Sequence, residues 1–208
     1  MTEIMFEVIP YAKVSSHAYK EKVLNEVSAT LNELKIVKMV NIPDFVEENH
    51  IGLPYYKNVG ARDFGSLLRE RCKKDIMVNT VVVHYGKERF EQWLDETITE
   101  YKINNFVFVG AKVEGLQYPG PNVAEANEIA AGKKVNFGNI VIPQRPNEAE
   151  RLLQKTLAGC QFFTSQVLFE AEHAREVILE YGKKCREAKL KPAKFFLSFW
   201  QFYSKAFF

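Results

Sequence analysis

Short apolar runs alternate with longer amphipathic segments along the chain, and this alternation constrains the fold more than any other feature of the sequence. The runs are rich in Val, Ile and Phe, which is typical of strands that are buried on both faces. Seven of them are predicted as strands, namely Ile4–Ile9, Ile36–Asn41, Ile76–Val83, Phe106–Ala111, Phe137–Ile142, Gln161–Gln166 and Ala193–Trp200.

The segments between these runs carry apolar residues at the spacing of an α-helix. Val23, Val27 and Leu31 share one stripe after the first strand, and Trp93 and Leu94 begin a similar stripe after the third. The chain therefore reads as strand then helix six times, followed by a seventh strand. Regular alternation of this kind predicts a parallel sheet with right-handed crossovers.

Two architectures fit this alternation, an open doubly wound sheet and a (β/α)8 barrel. The first strand-to-helix loop reads IPYAKVSS and lacks a glycine fingerprint, which argues against a Rossmann nucleotide site. Seven near-equal units favour the barrel, but a complete barrel usually needs about 250 residues. The chain has 208 residues, so we predict an α/β fold of the TIM-barrel type, incomplete at about seven strands, in a single domain over residues 1–208.

Composition excludes several classes of protein. The formal net charge of +2 is too balanced to favour a nucleic-acid or anionic-membrane surface, and no apolar stretch is long enough to span a bilayer. Cys72, Cys160 and Cys185 lack metal-ligand or redox spacing, and the four histidines lack metal-ligand spacing. With no signal peptide evident, we expect a cytoplasmic protein with buried or reduced thiols and no metal site.

Polar residues collect near the predicted strand ends, where the active site of a barrel lies. Glu7 is the most notable, because it interrupts an apolar strand and a buried carboxylate is costly unless it is paired or functional. Burial would favour its protonated form, as a general acid requires. A buried salt bridge with Lys112 or Arg145 is the alternative. The other polar residues of this set are Asn41, Asp44, Asn79, Thr80, His84, Glu114, Gln144, Asn147, Ser165 and Gln166.

The segment PNEAERLLQKTLAG, Pro146–Gly159, is predicted as a helix with Pro146 in its first turn and Gly159 at its C-terminal stop. Within it, Glu148 and Lys155 lie two helical turns apart and share a face. Such a pair is ordinarily solvated surface charge, so the spacing by itself supports no function.

The stretch NIVIPQRPNEAERLLQKTLAGCQFFTSQ, together with FEVIP near the start and YPGPNVAEAN in the middle, resembles the methylenetetrahydrofolate reductase family. The resemblance implies a (β/α)8 barrel that holds FAD at the C-terminal ends of its strands. It further implies transfer of a hydride from NAD(P)H through the flavin to 5,10-methylenetetrahydrofolate, or a related methylene-pterin, in one-carbon metabolism.

The resemblance also implies roles for individual residues. Glu7 matches the acid that helps to protonate the folate, and Gln166 matches a glutamine that contacts the pterin. Glu148 and Lys155 match residues that hold the ribityl and phosphate part of the flavin, and Tyr118 is similar to a tyrosine near it.

Three further positions complete the cofactor-binding set that the resemblance implies, and two of them depart from the family pattern. Lys112 stands after the fourth strand, next to Ala111, where the family usually has an acidic residue. Asn79 or Thr80 stands on the third strand where the family has a histidine, and Thr80 is assigned to the set. Two alternatives therefore stay open, a non-catalytic barrel partner and a pterin-binding component of a methyl-transfer complex.

The C-terminal segment FFLSFWQFYSKAFF carries eight aromatic residues in fourteen positions. Family members continue through an eighth strand and helix, so the first and seventh strands here are expected to have open edges, which favour association. Three explanations compete: a truncated gene product, which we favour, a tail that closes the gap against a partner subunit in a homo-oligomer, or a tail that binds a separate chain.

Overall fold

The computed structural model describes residues 4–111 and 115–199. The chain divides into two compact units, residues 1–137 and residues 138–208, called here the first and second unit. The single domain over residues 1–208 stays a prediction. All seven predicted strands are present, with ends shifted by no more than two residues. The strands are β1 (Ile4–Glu7), β2 (Val37–Ile42), β3 (Glu47–Glu48), β4 (Pro54–Tyr55), β5 (Asp75–Val81), β6 (Asn105–Val109), β7 (Asn136–Val141), β8 (Phe162–Val167) and β9 (Lys194–Ser198).

The helices lie between these strands, as the alternation predicted. They are α1 (His17–Glu33), α2 (Ala61–Arg71), α3 (Lys87–Thr99), α4 (Val123–Ala131), α5 (Glu148–Leu157) and α6 (Glu172–Glu187), with a short 3-10 helix over Val82–His84. Side-chain caps explain two of the starts: Ser16 accepts a hydrogen bond from the Tyr19 backbone at α1, and Asn122 forms a capping box with Glu125 at α4.

In the first unit, β1, β2, β5 and β6 pair in parallel in that order. Ile76 and Val78 of β5 belong to the apolar core that the helices cover. Because side chains alternate along a strand, Met77 and Asn79 face the opposite side of the sheet. Asn41 of β2 is in register with Met77, so Asn41 and Asn79 lie on the same face.

In the second unit, β7, β8 and β9 pair in parallel, and α5 packs against α6. Tyr181 is fully buried here, and its hydroxyl bonds the Thr156 hydroxyl at 2.7 Å and accepts the Ala193 N–H at 2.9 Å. Helix α5 stops before Gly159, whose φ of +93° gives the predicted C-terminal stop. Its start differs from the prediction: Pro146 lies in the preceding turn, and the helix begins at Glu148.

Seven parallel strands alternating with six helices among the described residues confirm the predicted fold class, an α/β fold of the incomplete TIM-barrel type. The three cysteines are buried free thiols, as expected. Across residues 4–111 and 115–199, no group of His, Cys, Asp and Glu side chains is placed to hold a metal ion. Over the same ranges, every helix is too short or too polar to cross a membrane.

Candidate functional site

A cleft of about 600 Å³ opens in the first unit, at the loops that follow β1, β2 and β5 and at the N-terminal turns of α2 and α3. This volume is within the roughly 300–1,000 Å³ that small-molecule sites occupy. The cleft is lined by cationic, acidic, amide and aromatic residues, which are Lys13, Asp44, Tyr56, Gly60, Ala61, Arg62, Asp63, Asn79, Tyr85, Arg89, Gln92, Trp93 and Glu96.

Asp44 supplies a half-buried carboxyl to this cleft. Burial raises the pKa of Asp44 from its ordinary 3.8 to about 6, while the Lys13 cation and a hydrogen bond from the Val81 backbone oppose the rise. Near neutral pH the carboxyl is therefore mostly ionised but close to its titration range. It can accept hydrogen bonds from a ligand, and it takes up a proton at mildly acidic pH.

Two phenols stand close to Asp44. Burial is the main cause that raises the pKa of both Tyr56 and Tyr85, and the Asp44 charge adds to it, whereas Arg89 opposes it. Thr80, one of the predicted cofactor-binding residues, is buried, and it lies close enough to the Tyr85 hydroxyl to oppose the rise of that pKa. Because the phenols stay protonated at neutral pH, they present O–H donors to the cleft.

Two amide side chains on the face opposite the helices have buried carbonyl oxygens. The Oδ1 atoms of Asn41 and Asn79 have no hydrogen-bond partner among the described residues. The Asn41 amide group donates instead to Oε2 of Glu7 at 2.9 Å. Unpartnered buried acceptors are uncommon in folded proteins, and Asn79 lines the cleft, so its oxygen is available to a donor on a ligand.

One wall of the cleft is aromatic and held in place. The Arg62 guanidinium lies 4.6 Å from the Tyr101 ring centroid and 5.5 Å from that of Trp93, and it pairs with Glu96 at 3.1 Å. The Tyr85 ring centroid lies 5.7 Å from that of Trp93. Trp93 was predicted in the apolar stripe of a helix; it is half-buried in α3 and also lines the cleft.

Glu7 is not buried, which corrects one expectation from the sequence. It is the last residue of β1, and its side chain is exposed. Among the described residues β1 pairs only with β2, so solvent reaches this end of the strand. The contact of Glu7 is with Asn41, and its role as an acid stays a prediction.

A buried cluster lies outside the cleft lining. The Tyr118 hydroxyl donates to Oε2 of Glu48 at 2.9 Å, and Oε1 of Glu48 lies 3.1 Å from Nε2 of His84. The His84 and Glu48 side chains are 1% and 4% exposed. Burial lowers the pKa of His84, and Glu48 opposes that change. Tyr118 was predicted near a flavin, and here its hydroxyl holds Glu48.

Two other predicted cofactor-binding residues are Ala111 and Lys112. Lys112 lies outside the described residues. Ala111 is the last described residue before this segment, and it is exposed. Their predicted roles stay predictions.

In the second unit, Glu148 and Lys155 are engaged with the backbone at the end of β7. Oε1 of Glu148 accepts the Ile142 N–H at 2.9 Å, and Nζ of Lys155 donates to the Ile140 carbonyl at 2.8 Å. Burial lowers the pKa of Lys155, and Glu148 opposes that change. A flavin phosphate at Lys155 would have to compete with this carbonyl. Gln166, near the end of β8, is exposed.

Several cleft residues were missed in the sequence, because neither their segments nor their positions in a helix indicated a site. Tyr56 lies between β2 and α2 in a connection of eighteen residues, 43–60, which is longer than ordinary strand-to-helix loops. Long loops of this kind often carry binding residues, so the length was the available signal. Arg62 and Arg89 sit in the first turns of α2 and α3, where arginine is ordinarily a solvated surface residue.

Comparison with known proteins gives a likeness in fold. No protein-family model matches the chain, and no curated protein matches it. Among solved structures, an uncharacterised protein from Clostridium thermocellum that binds two copies of 5-methyl-5,6,7,8-tetrahydrofolic acid aligns with a TM-score of 0.75 at 15% identity. The alignment covers 93% of this chain and 64% of that one, so this chain spans less than two thirds of its length.

A second solved structure is the carboxyl transferase domain of Rhizobium etli pyruvate carboxylase with 3-bromopyruvate. It aligns with a TM-score of 0.50 at 9% identity, over 84% of this chain and 36% of that one. At sequence identities this low, both similarities show a shared fold and nothing about function.

Proposed function

We propose that the chain binds a reduced folate in the cleft of the first unit. The observation that carries the proposal is the pair of acceptors, the Asp44 carboxyl and the unpartnered Asn79 oxygen, in a cleft with an aromatic wall. The pterin ring presents adjacent N–H donors, on its 2-amino group and N3, which such oxygens accept. Its flat surface suits the rings of Tyr85 and Trp93. The folate bound by the Clostridium thermocellum protein supports the same ligand class.

The cleft also has groups for the anionic end of a folate. Lys13 and Arg89 line it and are exposed, and both are close enough to its acidic and phenolic groups to influence their pKa values. Cations of this kind pair with carboxylates, as in the glutamate tail of folate. The cleft therefore offers acceptors for the ring and cations for the tail.

The finer form of the proposal is a flavin-dependent methylene-pterin reductase, which rests on the resemblance to the methylenetetrahydrofolate reductase family. Bound FAD would carry a hydride from NAD(P)H to the folate. Five described residues are the proposed flavin contacts, namely Thr80, Ala111, Tyr118, Glu148 and Lys155. Glu7 remains the proposed acid, and Gln166 the proposed pterin contact.

A second candidate is a pterin-binding component of a methyl-transfer complex, without flavin. The specific observation in its favour is that Glu148 and Lys155 already bond the backbone of β7 and of the loop that follows it. These groups would have to give up those bonds before they could hold a cofactor.

Binding and activity measurements on the purified protein distinguish these proposals. We expect calorimetric binding of 5-methyltetrahydrofolate that is lost in Asn79→Leu, which removes the acceptor at similar volume, and kept in Asp75→Asn, an exposed residue away from the cleft. Flavin absorbance on titration with FAD, with NAD(P)H oxidation by menadione, favours the reductase. Folate binding without flavin favours the methyl-transfer component, and no folate binding contradicts both.

We further propose association through the aromatic C-terminus, as a homo-oligomer or with a partner subunit. Residues 200–208 of this segment lie outside the described part of the chain. The described Phe199 is 76% exposed, which fits an apolar surface near that end.

A further inference from the structure

Glu48, His84 and Tyr118 come from three separate segments of the first unit and meet in one buried cluster, called here the latch. Glu48 belongs to β3, His84 ends the 3-10 helix after β5, and Tyr118 lies in the loop before α4. The carboxylate bridges the other two side chains, at 3.1 Å to the imidazole and 2.9 Å from the phenol oxygen.

Burying a carboxylate and an imidazole is unfavourable unless they compensate one another. None of the three latch residues lines the cleft, so a ligand there has no direct contact that explains them. The His84 and Tyr118 rings also pack edge to face, with centroids 5.7 Å apart. A polar arrangement this enclosed fixes the relative position of the segments that carry it.

Two of those segments continue along the chain to residues that line the cleft, Tyr56 and Tyr85. Glu48 pairs with Pro54 in the β3–β4 hairpin, and Tyr56 follows that hairpin by one residue. His84 immediately precedes Tyr85. Tyr85 is therefore adjacent along the chain to one member of the Glu48–His84 contact, and Tyr56 lies two residues after Pro54, the strand partner of the other.

Two backbone hydrogen bonds further restrain the segments that carry Tyr56 and Tyr85. The Gly120 N–H donates to the Val83 carbonyl at 2.9 Å, and a Cβ at Gly120 would overlap the carbonyl oxygens of Val82 and Tyr85. The loop that carries Tyr118 can therefore approach the 3-10 helix only because residue 120 is glycine. On the far side of Tyr56, the Lys13 N–H donates to the Lys57 carbonyl at 2.9 Å.

We propose that the latch is a set of positioning residues that holds Tyr56 and Tyr85 in the ligand-binding geometry of the cleft. The part of this inference that concerns ligand affinity rests on the proposed folate binding. The part that concerns the position of Tyr85 does not, because Trp93 reports on Tyr85 without a ligand.

The test uses tryptophan fluorescence. The chain has two tryptophans, Trp93 and Trp200, so Trp200→Phe leaves Trp93 as the sole reporter. In that background, Glu48→Leu should increase acrylamide quenching of Trp93, because a released Tyr85 no longer shields it. It should also weaken 5-methyltetrahydrofolate binding about tenfold, the effect of losing one well-placed hydrogen bond. Glu48→Gln can still accept from Tyr118 and contact His84, so it should restore both the quenching of Trp93 and the folate affinity of the parent.

Glu21→Leu is the matched control, since Glu21 pairs with Arg71 between α1 and α2 and lies outside the cleft lining. Glu21→Leu should change the melting temperature without changing the quenching of Trp93 or the affinity for 5-methyltetrahydrofolate. If Glu48→Leu lowers the melting temperature but leaves Trp93 quenching unchanged, the latch is only structural and the proposal fails. If the parent protein binds no folate but its quenching responds as expected, the proposed function fails and the positioning role stands.

Discussion

At the scale of single residues, Asp44 is the clearest example of a group whose burial lowers the stability of the protein while it serves the proposed ligand site. Its pKa is raised from 3.8 to about 6, so between those values the folded state keeps a proton that the unfolded state has released. Stability therefore falls as the pH rises through this window, and the loss is complete above about pH 6. Such a penalty is ordinary where a side chain serves a ligand.

Asp44→Asn should stabilise the unliganded protein at pH 7, because it removes a partly buried charge and keeps the acceptor for the Val81 N–H. We expect a gain of about 1–2 kcal/mol after allowance for solvent screening, or roughly 2–8 °C in melting temperature. The same variant should lose folate affinity in calorimetry. Asp75→Asn is the control, and a less stable Asp44→Asn protein would contradict the burial argument.

The proposed affinity for folate should depend on pH through the same carboxyl. Above about pH 6, Asp44 is ionised and accepts hydrogen bonds from the pterin; below that pH it is protonated and loses much of this capacity. Calorimetric titrations between pH 5 and 7.5 should show affinity rising with pH in the parent protein. In Asp44→Asn the rise should be absent, and an identical pH profile in both proteins would exclude Asp44 as its source.

The sequence predicted polar residues at the strand ends but could not rank them. Glu7 attracted attention because it interrupts an apolar run, yet it is exposed, since an apolar run does not reveal whether its strand lies at the edge of a sheet. Asp44 and Asn79 were in the same polar set, and only the fold brings them to one cleft with Tyr56 and Tyr85.

At the scale of elements, the corner between β7 and α5 is stabilised by side chains that the sequence assigned to a cofactor. Glu148 is the first residue of α5, and it accepts the Ile142 N–H from inside the unit. A carboxylate at a helix N-terminus is also favoured by the helix dipole. The physical need of a buried N–H for a partner accounts for Glu148 without a ligand.

Glu148→Ala should destabilise the protein by about 1–2 kcal/mol, because the part-buried Ile142 N–H is left unpaired. Glu148→Gln keeps an acceptor and should cost less. Urea unfolding measures both, and FAD titration of Glu148→Gln and Lys155→Met tests the proposed flavin contact separately. Flavin affinity that falls while stability is kept would support the cofactor role.

The main strands and helices could be predicted because long apolar runs and helical stripes carry a strong periodic signal. The β3–β4 hairpin could not, because two-residue strands give no alternation to detect. The 3-10 helix Val82–His84 was also missed, since its apolar residues continue the run of β5 and read as strand. These two short elements carry Glu48 and His84, so the latch was invisible in the sequence.

At the scale of the whole molecule, exposed apolar residues on outer strands favour association. Phe6 of β1 is 45% exposed, and in the described residues this strand has β2 as its one partner. An open apolar edge pairs readily with another chain. Phe6→Lys should therefore shift the sedimentation of the protein toward the monomer, whereas Val14→Lys, at a loop position that is 94% exposed, should not. Equal effects of both lysines would point to net charge instead.

All the residues that line the cleft fall between positions 13 and 96. The proposed ligand contacts of the cleft therefore lie in one continuous stretch of the sequence. A library of random substitutions, sorted first for soluble expression and then for ligand capture, should yield its capture-defective clones mostly from that stretch. Capture-defective clones from outside that stretch should fall mainly at positions that hold the cleft in place, such as Tyr118 and Gly120.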